Sequence, residues 1–287
     1  MEGLNRMANS IDFIENNVEN ELKIDQVATV ACMSKFHYQR MFSMLTGVTV
    51  AEYIRRRRLT LAAQELTHAN RKVIDVALKY GYETPESFSK AFRKIHGISP
   101  SAVRQNSQQL KAFPKLSFQI QLKGDVEMEY KIVEKDAFQV VGKGIRTSIV
   151  NGENHRQIPA FWDESNSNGF VEELEKDCGP MSIMGACMEF DATQEKLTYF
   201  ICAEKNKQDI PSDWEEKKIP ASTWAVFESV GAMPDAIPKT WDRIFSEWFP
   251  STGYEHASGP ELEVYSTEGD TTSEDYRCEI WIPIVKK

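Results

Sequence analysis

The chain has 287 residues, which at roughly 100–200 residues per domain suggests two domains. Apolar residues make up 41% and charged residues 27%, close to globular averages, which argues against a disordered or fibrous chain. The net charge of −9 is unevenly spread: residues 1–110 hold 15 Lys and Arg against 11 Asp and Glu, and the remainder holds 19 against 32, so only the first part is suited to a polyanion.

The basic part contains a repeat. Ile24-Asp25-Gln26-Val27-Ala28 matches Val73-Ile74-Asp75-Val76-Ala77 at an offset of 49. With one extra residue in the second turn, Tyr38, Phe42, Leu45, Gly47 and Val48 fall on Phe88, Phe92, Ile95, Gly97 and Ile98. Each copy reads as a short helix, a turn and a longer helix. In the first, Asp25 is placed to cap, Ser34 caps the second helix, and Gly47 stops it. In the second, Gly81 lies in the turn, Thr84 caps, Pro85 takes the first helical position and Gly97 ends the helix. Between the copies Val50 to Thr67 lacks Gly and Pro and predicts one helix about 27 Å long.

This is the pattern of two helix-turn-helix units on a rigid connector. The second helix of such a unit lies in the major groove, and its early exposed side chains meet base edges. The candidates are Lys35, His37, Gln39 and Arg40 in the first unit and Glu86, Ser87, Ser89 and Lys90 in the second. Arg and Gln suit guanine and adenine respectively, and Glu can accept from cytosine. Arg55-Arg56-Arg57-Arg58 adds positive charge at the start of the connector, although Glu52 and Glu65 offer partners to Arg57 and Arg58. Two units so joined fit adjacent major grooves about 34 Å apart.

Residues 105–124 are polar, are broken by Pro114 and read as a linker. Beyond them short β-rich runs take over: Phe138–Gly142, Trp224–Phe227 and Ile280–Ile284. Helical candidates lie at about 158–178 and 234–249. From Phe138 the order is strand, helix, strand, strand, repeated from Thr223, an α+β domain with a weak internal duplication. No GxGxxG, GxxxxGK[ST], HExxH or GxSxG occurs, and the five cysteines form an odd set without CxxC spacing. No cofactor, no metal and no catalytic set is expected. No run approaches the ~18 apolar residues of a membrane span. The first residues lack the features of a secretory signal, so a cytoplasmic protein with reduced thiols is expected.

What the second part does have is aromatic residues beside carboxylates: Trp162 next to Asp163, Trp241, Trp248, Glu261, Glu263, Tyr265, Glu279 and Trp281. A carboxylate in an aromatic-lined pocket suits a lipophilic cation, with cation–π attraction of ~0.5–2 kcal/mol per ring. The same residues would serve equally as core aromatics and a solvated acidic sheet face.

The segment from about Asn5 to Arg104 closely resembles the DNA-binding domain of the AraC/XylS transcriptional regulators. The motifs are Ser34-Lys35-Phe36-His37-Tyr38-Gln39-Arg40-Met41-Phe42, Tyr53-Ile54-Arg55-Arg56-Arg57-Arg58-Leu59, Tyr80-Gly81-Tyr82, Lys90-Ala91-Phe92-Arg93-Lys94 and Gly97-Ile98-Ser99-Pro100. Val103 departs from the aromatic usual before Arg104. The resemblance implies that the first recognition helix reads bases, and it adds Phe36, Arg55 and Arg57 to the DNA-contacting set. From about Glu127 to Lys287 the chain looks like a GyrI-like effector-binding domain. The residues are Ile219-Pro220-Ala221-Ser222-Thr223-Trp224, Trp241, Trp248-Phe249-Pro250, Glu261-Leu262-Glu263-Val264-Tyr265 and Cys278-Glu279-Ile280-Trp281. That resemblance implies a pocket between two pseudo-symmetric β-α-β-β units, with Glu263 and Glu279 as its acids and Tyr265, Trp281 and Trp162 around them. Strand register decides whether Glu261 or Glu263 faces inward.

The expected organisation is therefore multidomain: an all-α DNA-binding domain over 1–106 with two helix-turn-helix units joined by a long helix, a linker over 107–126, and an α+β domain of two β-α-β-β units over 127–287. The expected function is that of a transcriptional regulator that binds double-stranded promoter DNA, is controlled by a small amphipathic cation, works with RNA polymerase and activates efflux or stress genes. Two other uses of the second domain are a hydrolase of small electrophiles, with Tyr265 and Glu263 or Glu279 as acid and base, and a protein-binding module.

Overall fold

The computed structural model describes residues 2–68, 71–103, 110–117, 127–149, 152–176, 181–191, 195–206, 210–266 and 269–286. The chain forms two compact units: Met1–Tyr38 with Thr49–Gln121, and Gln39–Val48 with Leu122–Lys287.

The helices come in the order α1 (Glu2–Asn16), α2 (Ile24–Val30), α3 (Lys35–Thr46), α4 (Val50–His68), α5 (Val73–Lys79) and α6 (Pro85–His96). The repeat read from sequence is therefore physical: α2 and α5 start 49 residues apart, and α3 and α6 start 50 apart. Thr84 caps α6 by accepting from the Ser87 amide at 3.1 Å, and Ser34 accepts from the His37 amide at 3.3 Å. Gly47 and Gly97 close their helices at φ 70° and 80°, the left-handed region where a side chain would be strained. Asp25 does not cap α2. That helix begins two residues earlier, at Ile24 after Lys23, whose amide donates to the Gln26 side chain, and Asp25 sits in the first turn.

Sequence reading missed α1, although Met7, Ile11, Ile14 and Val18 follow helical spacing and all four are buried. Around α5 and α6 the core gathers Val76, Ala77, Tyr80, Phe88 and Phe92 against Leu59, Ala62, Ala63 and Leu66 of α4. Residues 107–109 and 118–126 of the expected linker lie outside the described residues, but 110–117 are packed along α4. The Phe113 amide donates to the Thr60 hydroxyl at 3.0 Å, and the Arg56 guanidinium lies 5.0 Å from the Phe113 ring.

The connector arginines are mostly structural. Arg57, expected at DNA, donates from Nε and Nη2 to Glu15 at 2.8 and 2.7 Å, and from Nη1 to the Phe113 carbonyl. Tyr53 donates to the same carboxylate at 2.6 Å. Burial alone would raise the Glu15 pKa, but the Arg57 and Tyr53 hydrogen bonds outweigh it and hold the group below the usual range. Both partners are nearly enclosed, at 11% and 12% exposure. Arg57→Ala strands a buried charge and is expected to cost about 3 kcal/mol, read as a lower urea midpoint; an unchanged midpoint would return Arg57 to the DNA face.

In the second unit the strands are β1 (Tyr130–Lys135), β2 (Phe138–Ser148), β3 (Ile183–Asp191), β4 (Lys196–Glu204), β5 (Glu215–Ile219), β6 (Ser222–Val230), β7 (Tyr254–His256), β8 (Glu261–Tyr265) and β9 (Arg277–Lys286). They form one antiparallel sheet in the order β1-β6-β9-β8-β3-β4-β2-β5, with β7 beside β9. Helices α7 (Asn154–Ser167) and α8 (Phe170–Glu175) follow β2. After β6 come α9 (Ala236–Arg243), a π-turn at Ile244–Trp248, and α10 (Phe249–Ser251). The result is two β-α-β-β units meeting where β3 pairs with β8, as expected. Sequence reading missed β1 and β5, charged edge strands with few apolar residues. β1 precedes the first unit yet pairs with β6 of the second, and β5 precedes the second yet pairs with β2 of the first.

Candidate functional site

Directly opposed residues of an antiparallel pair project from the same face of a sheet. On β3 and β8, Gly185 faces Glu263, Cys187 faces Glu261, and Ile183 faces Tyr265. All six point to one side, so Glu261 and Glu263 both face inward. The choice expected between them does not arise, because residues two apart share a face. Gly185 is needed there. A methyl group at its position would stand 2.0 Å from the Tyr199 hydroxyl, which leans across the gap to reach Glu263.

Glu263 is 8% exposed and receives three donors: Tyr199 and Tyr265 hydroxyls at 2.8 Å each, and the Trp241 indole at 3.2 Å. Trp162 donates to the Tyr199 hydroxyl at 2.9 Å, and its ring meets Tyr265 edge-on at 4.8 Å. Burial raises the Glu263 pKa, and the three hydrogen bonds do not fully compensate. Both phenols are pushed well above the ordinary tyrosine value, first by burial and then by the Glu263 charge.

Glu261 is different. It is 4% exposed, takes a hydrogen bond from His256 Nε2 at 2.8 Å, and is forked by Arg40 through Nε at 2.6 Å and through Nη2. Burial would raise its pKa, but the Arg40 charge and the His256 and Arg40 hydrogen bonds win and hold it at about 2. One carboxylate is thus neutralised by a forked partner, and the neighbouring one is desolvated with neutral donors, the Tyr199 and Tyr265 hydroxyls and the Trp241 indole.

The expected pairing of Glu263 with Glu279 and Trp281 is corrected by register. Glu263 opposes Ile280, whereas Leu262 opposes Trp281 and Val264 opposes Glu279. Glu279 and Trp281 therefore stand on the other face of the sheet. There Trp281 packs with Trp224, Met184, Phe200 and Leu262, and donates to Glu279 at 2.8 Å. Glu279 pairs with Lys131 at 2.7 Å. Of the five residues expected at the effector site, the structure brings together Glu263, Tyr265 and Trp162. Tyr199, Trp241, Phe245, His256 and Glu261 pack into the same cluster. Gly185 was the sequence signal for Tyr199: a lone glycine in an otherwise apolar strand marks a close approach.

Among the expected DNA-contacting residues, Lys35 is exposed and holds Asp25 at 2.9 Å, while Phe36 and Gln39 are half-buried. His37 is fully buried, which corrects its expected place at a base edge: it lies one turn before Met41 on the buried side of α3. Arg55 is 43% exposed and pairs with Glu52. Glu86, Ser89 and Lys90 line, with Pro85, Arg93 and Lys94, an open depression along α6, and Ser87 is exposed beside them. Arg40 is only 12% exposed, held by Glu261. Among the described residues no cluster of metal-ligating side chains and no helix long and apolar enough to cross a membrane is found.

Comparison with known proteins matches both units. Residues 27–106 fit a helix-turn-helix domain family, and residues 131–284 fit the family described as integron-associated effector binding protein. The HTH-type transcriptional activator AarP of Providencia stuartii is 46% identical over 92 residues, 32% of this chain and 68% of that protein. The multiple antibiotic resistance protein MarA of Escherichia coli is 33% identical over 99 residues, 34% of this chain and 78% of that one. The solved structure of SAV2435 bound to tetraphenylphosphonium is 25% identical with a TM-score of 0.50, covering 55% of this chain and 94% of that one. The chain belongs to the AraC-type helix-turn-helix transcriptional regulators, DNA-binding proteins, and its C-terminal part to the integron-associated, GyrI-like effector-binding family.

Proposed function

We propose that the protein is a cytoplasmic promoter-binding regulator whose sheet domain senses an amphipathic organic cation, and that it acts with RNA polymerase on efflux or stress genes. The observation that carries the sensing is Glu263, a buried carboxylate with three neutral donors and, among the described residues, no cation hydrogen-bonded to it, set beside the Trp162, Trp241 and Tyr265 rings. Keeping such a group ionised in a dry site is costly, and an entering cation removes that cost while the rings contribute cation–π attraction. The similar SAV2435 was solved with a lipophilic cation. The name of the similar MarA supports the choice of target genes. The exposed Lys35, Ser87 and Lys90, with the half-buried Gln39, are the proposed base and backbone contacts.

A hydrolytic use of the same cluster would draw on Tyr199 and Tyr265, which both donate to Glu263. Their raised pKa values make them poor proton shuttles near neutrality, which favours binding over turnover. The test is a tryptophan-fluorescence titration of the full chain with tetraphenylphosphonium and with neutral tetraphenylmethane-type analogues. Saturable binding of the cation alone, with the ligand recovered intact, is the expected result. Equal binding of cation and neutral analogue, or none, refutes the proposal.

A further inference from the structure

The second unit already contains a cation. Arg40 lies on the stretch of α3 that clusters with the sheet, and forks Glu261 through Nε and Nη2. Its guanidinium carbon stands 5.7 Å from the centre of the Trp241 ring and 5.6 Å from that of Phe245. The same indole donates to Glu263. Arg40 and Glu261 retain only 12% and 5% of their side-chain exposure. A carboxylate at the back, aromatic faces on the sides and exclusion of water are the features an organic cation needs, and here a side chain of the protein satisfies them. A planar guanidinium meets such a site by a fork and by stacking, which an ammonium cannot copy.

Arg40 also occupies a position in α3 where the helix-turn-helix pattern places a base-reading side chain. One guanidinium cannot fork Glu261 and contact DNA at the same time. We propose that Arg40 is a built-in occupant of the effector site, and that an organic cation displaces it from Glu261, Trp241 and Phe245 and so frees it for DNA. This rests on the cation-sensing reading above and adds to it. The cation subsite is centred on Glu261 as well as Glu263, and the effector class is a delocalised cation with an aromatic face. Occupation by Arg40 also means that the free protein binds the effector more weakly than the site intrinsically allows, by the fraction of molecules in which Arg40 has left.

Arg40→Met keeps an apolar stem against the two rings and removes the charge. In full-length protein it is expected to bind tetraphenylphosphonium and benzamidinium at least tenfold more tightly than wild type, by tryptophan fluorescence. A second measurement needs no variant. Phenylglyoxal modification of Arg40 in the wild type, followed by peptide mass spectrometry, is expected to be slow in the free protein and at least tenfold faster with saturating tetraphenylphosphonium. Equal affinity in both proteins, or Arg40 modification unchanged by bound cation, overturns the proposal and leaves cation sensing standing. Absence of binding to either protein overturns cation sensing as well.

Discussion

Phe92→Ala is expected to unfold the second helix-turn-helix unit while leaving the sheet unit intact. The Phe92 ring is fully buried, 5.5 Å from Phe88 and 4.3 Å from the His96 ring, in the cluster that joins α5 and α6 to α4. Removing a buried Phe side chain costs ~3–5 kcal/mol in transfer and cavity terms. A domain with only about 5–15 kcal/mol to lose gives up a large part of its stability. The two units can be followed separately, because all six tryptophans lie at position 162 or beyond. The helical ellipticity should melt earlier, DNA affinity should fall with it, and the tryptophan emission transition should stay in place. Coincident shifts of both signals would show that the units do not unfold independently.

Glu263→Gln is expected to separate function from stability. The substitution keeps the side chain's shape and, with its carbonyl toward Tyr199 and Tyr265, both of their hydrogen bonds, but it turns an amide N–H toward the Trp241 indole and removes the charge. Losing one member of a buried charge pair costs about 2–5 kcal/mol of binding, so cation affinity should fall about 30-fold or more. Stability should move the other way near neutrality. The folded pKa of Glu263 is raised above its ordinary 4.5, so its contribution is fully present below that value and is lost as pH rises. The variant lacks this loss and should be the more stable protein at pH 7, with the gap closing as pH falls below about 4.5. Glu261 acts with the opposite sign. Its folded pKa of about 2 provides stability above 4.5 that is lost as pH falls toward 2, in both proteins alike. A urea-midpoint series from pH 3 to pH 8 separates the two carboxylates. Equal midpoints for wild type and variant across the series would mean that Glu263 is not held against its charge.

The helix-turn-helix units were legible because their determinants are local. Caps, turn glycines and apolar spacing are set within a dozen residues, and duplication states them twice. The α+β order was legible for a similar reason, as hydrophobic periodicity changes from helical to alternating along the chain. What escaped depends on partners distant in sequence. Arg57 looks like a DNA contact until Glu15, 42 residues earlier, is seen to take its charge. His37 looks exposed until the burial of that side of α3 is known. Glu279 and Trp281 carry the right chemistry, but only the pairing of β8 with β9 shows that they project from the opposite face to Glu263. Tyr199 belongs to the first β-α-β-β unit and Trp241 to the second, so a local motif contains neither with Glu263. Arg40 reads in sequence as a base-contacting residue of α3, and nothing near it in the sequence points to Glu261, 221 residues later.

The measurement that bears most directly on the whole account is the affinity of the full chain for a labelled duplex, selected from a randomised pool, with and without saturating tetraphenylphosphonium. Linkage requires that whatever factor the cation adds to DNA affinity, DNA adds to cation affinity. The expected result is DNA binding at least fivefold tighter in the wild type at a cation concentration that just saturates it, and little change in Glu263→Gln at that same concentration. DNA affinity that is indifferent to a cation shown to be bound would contradict the account, separating the sheet domain's ligand from the control of DNA binding.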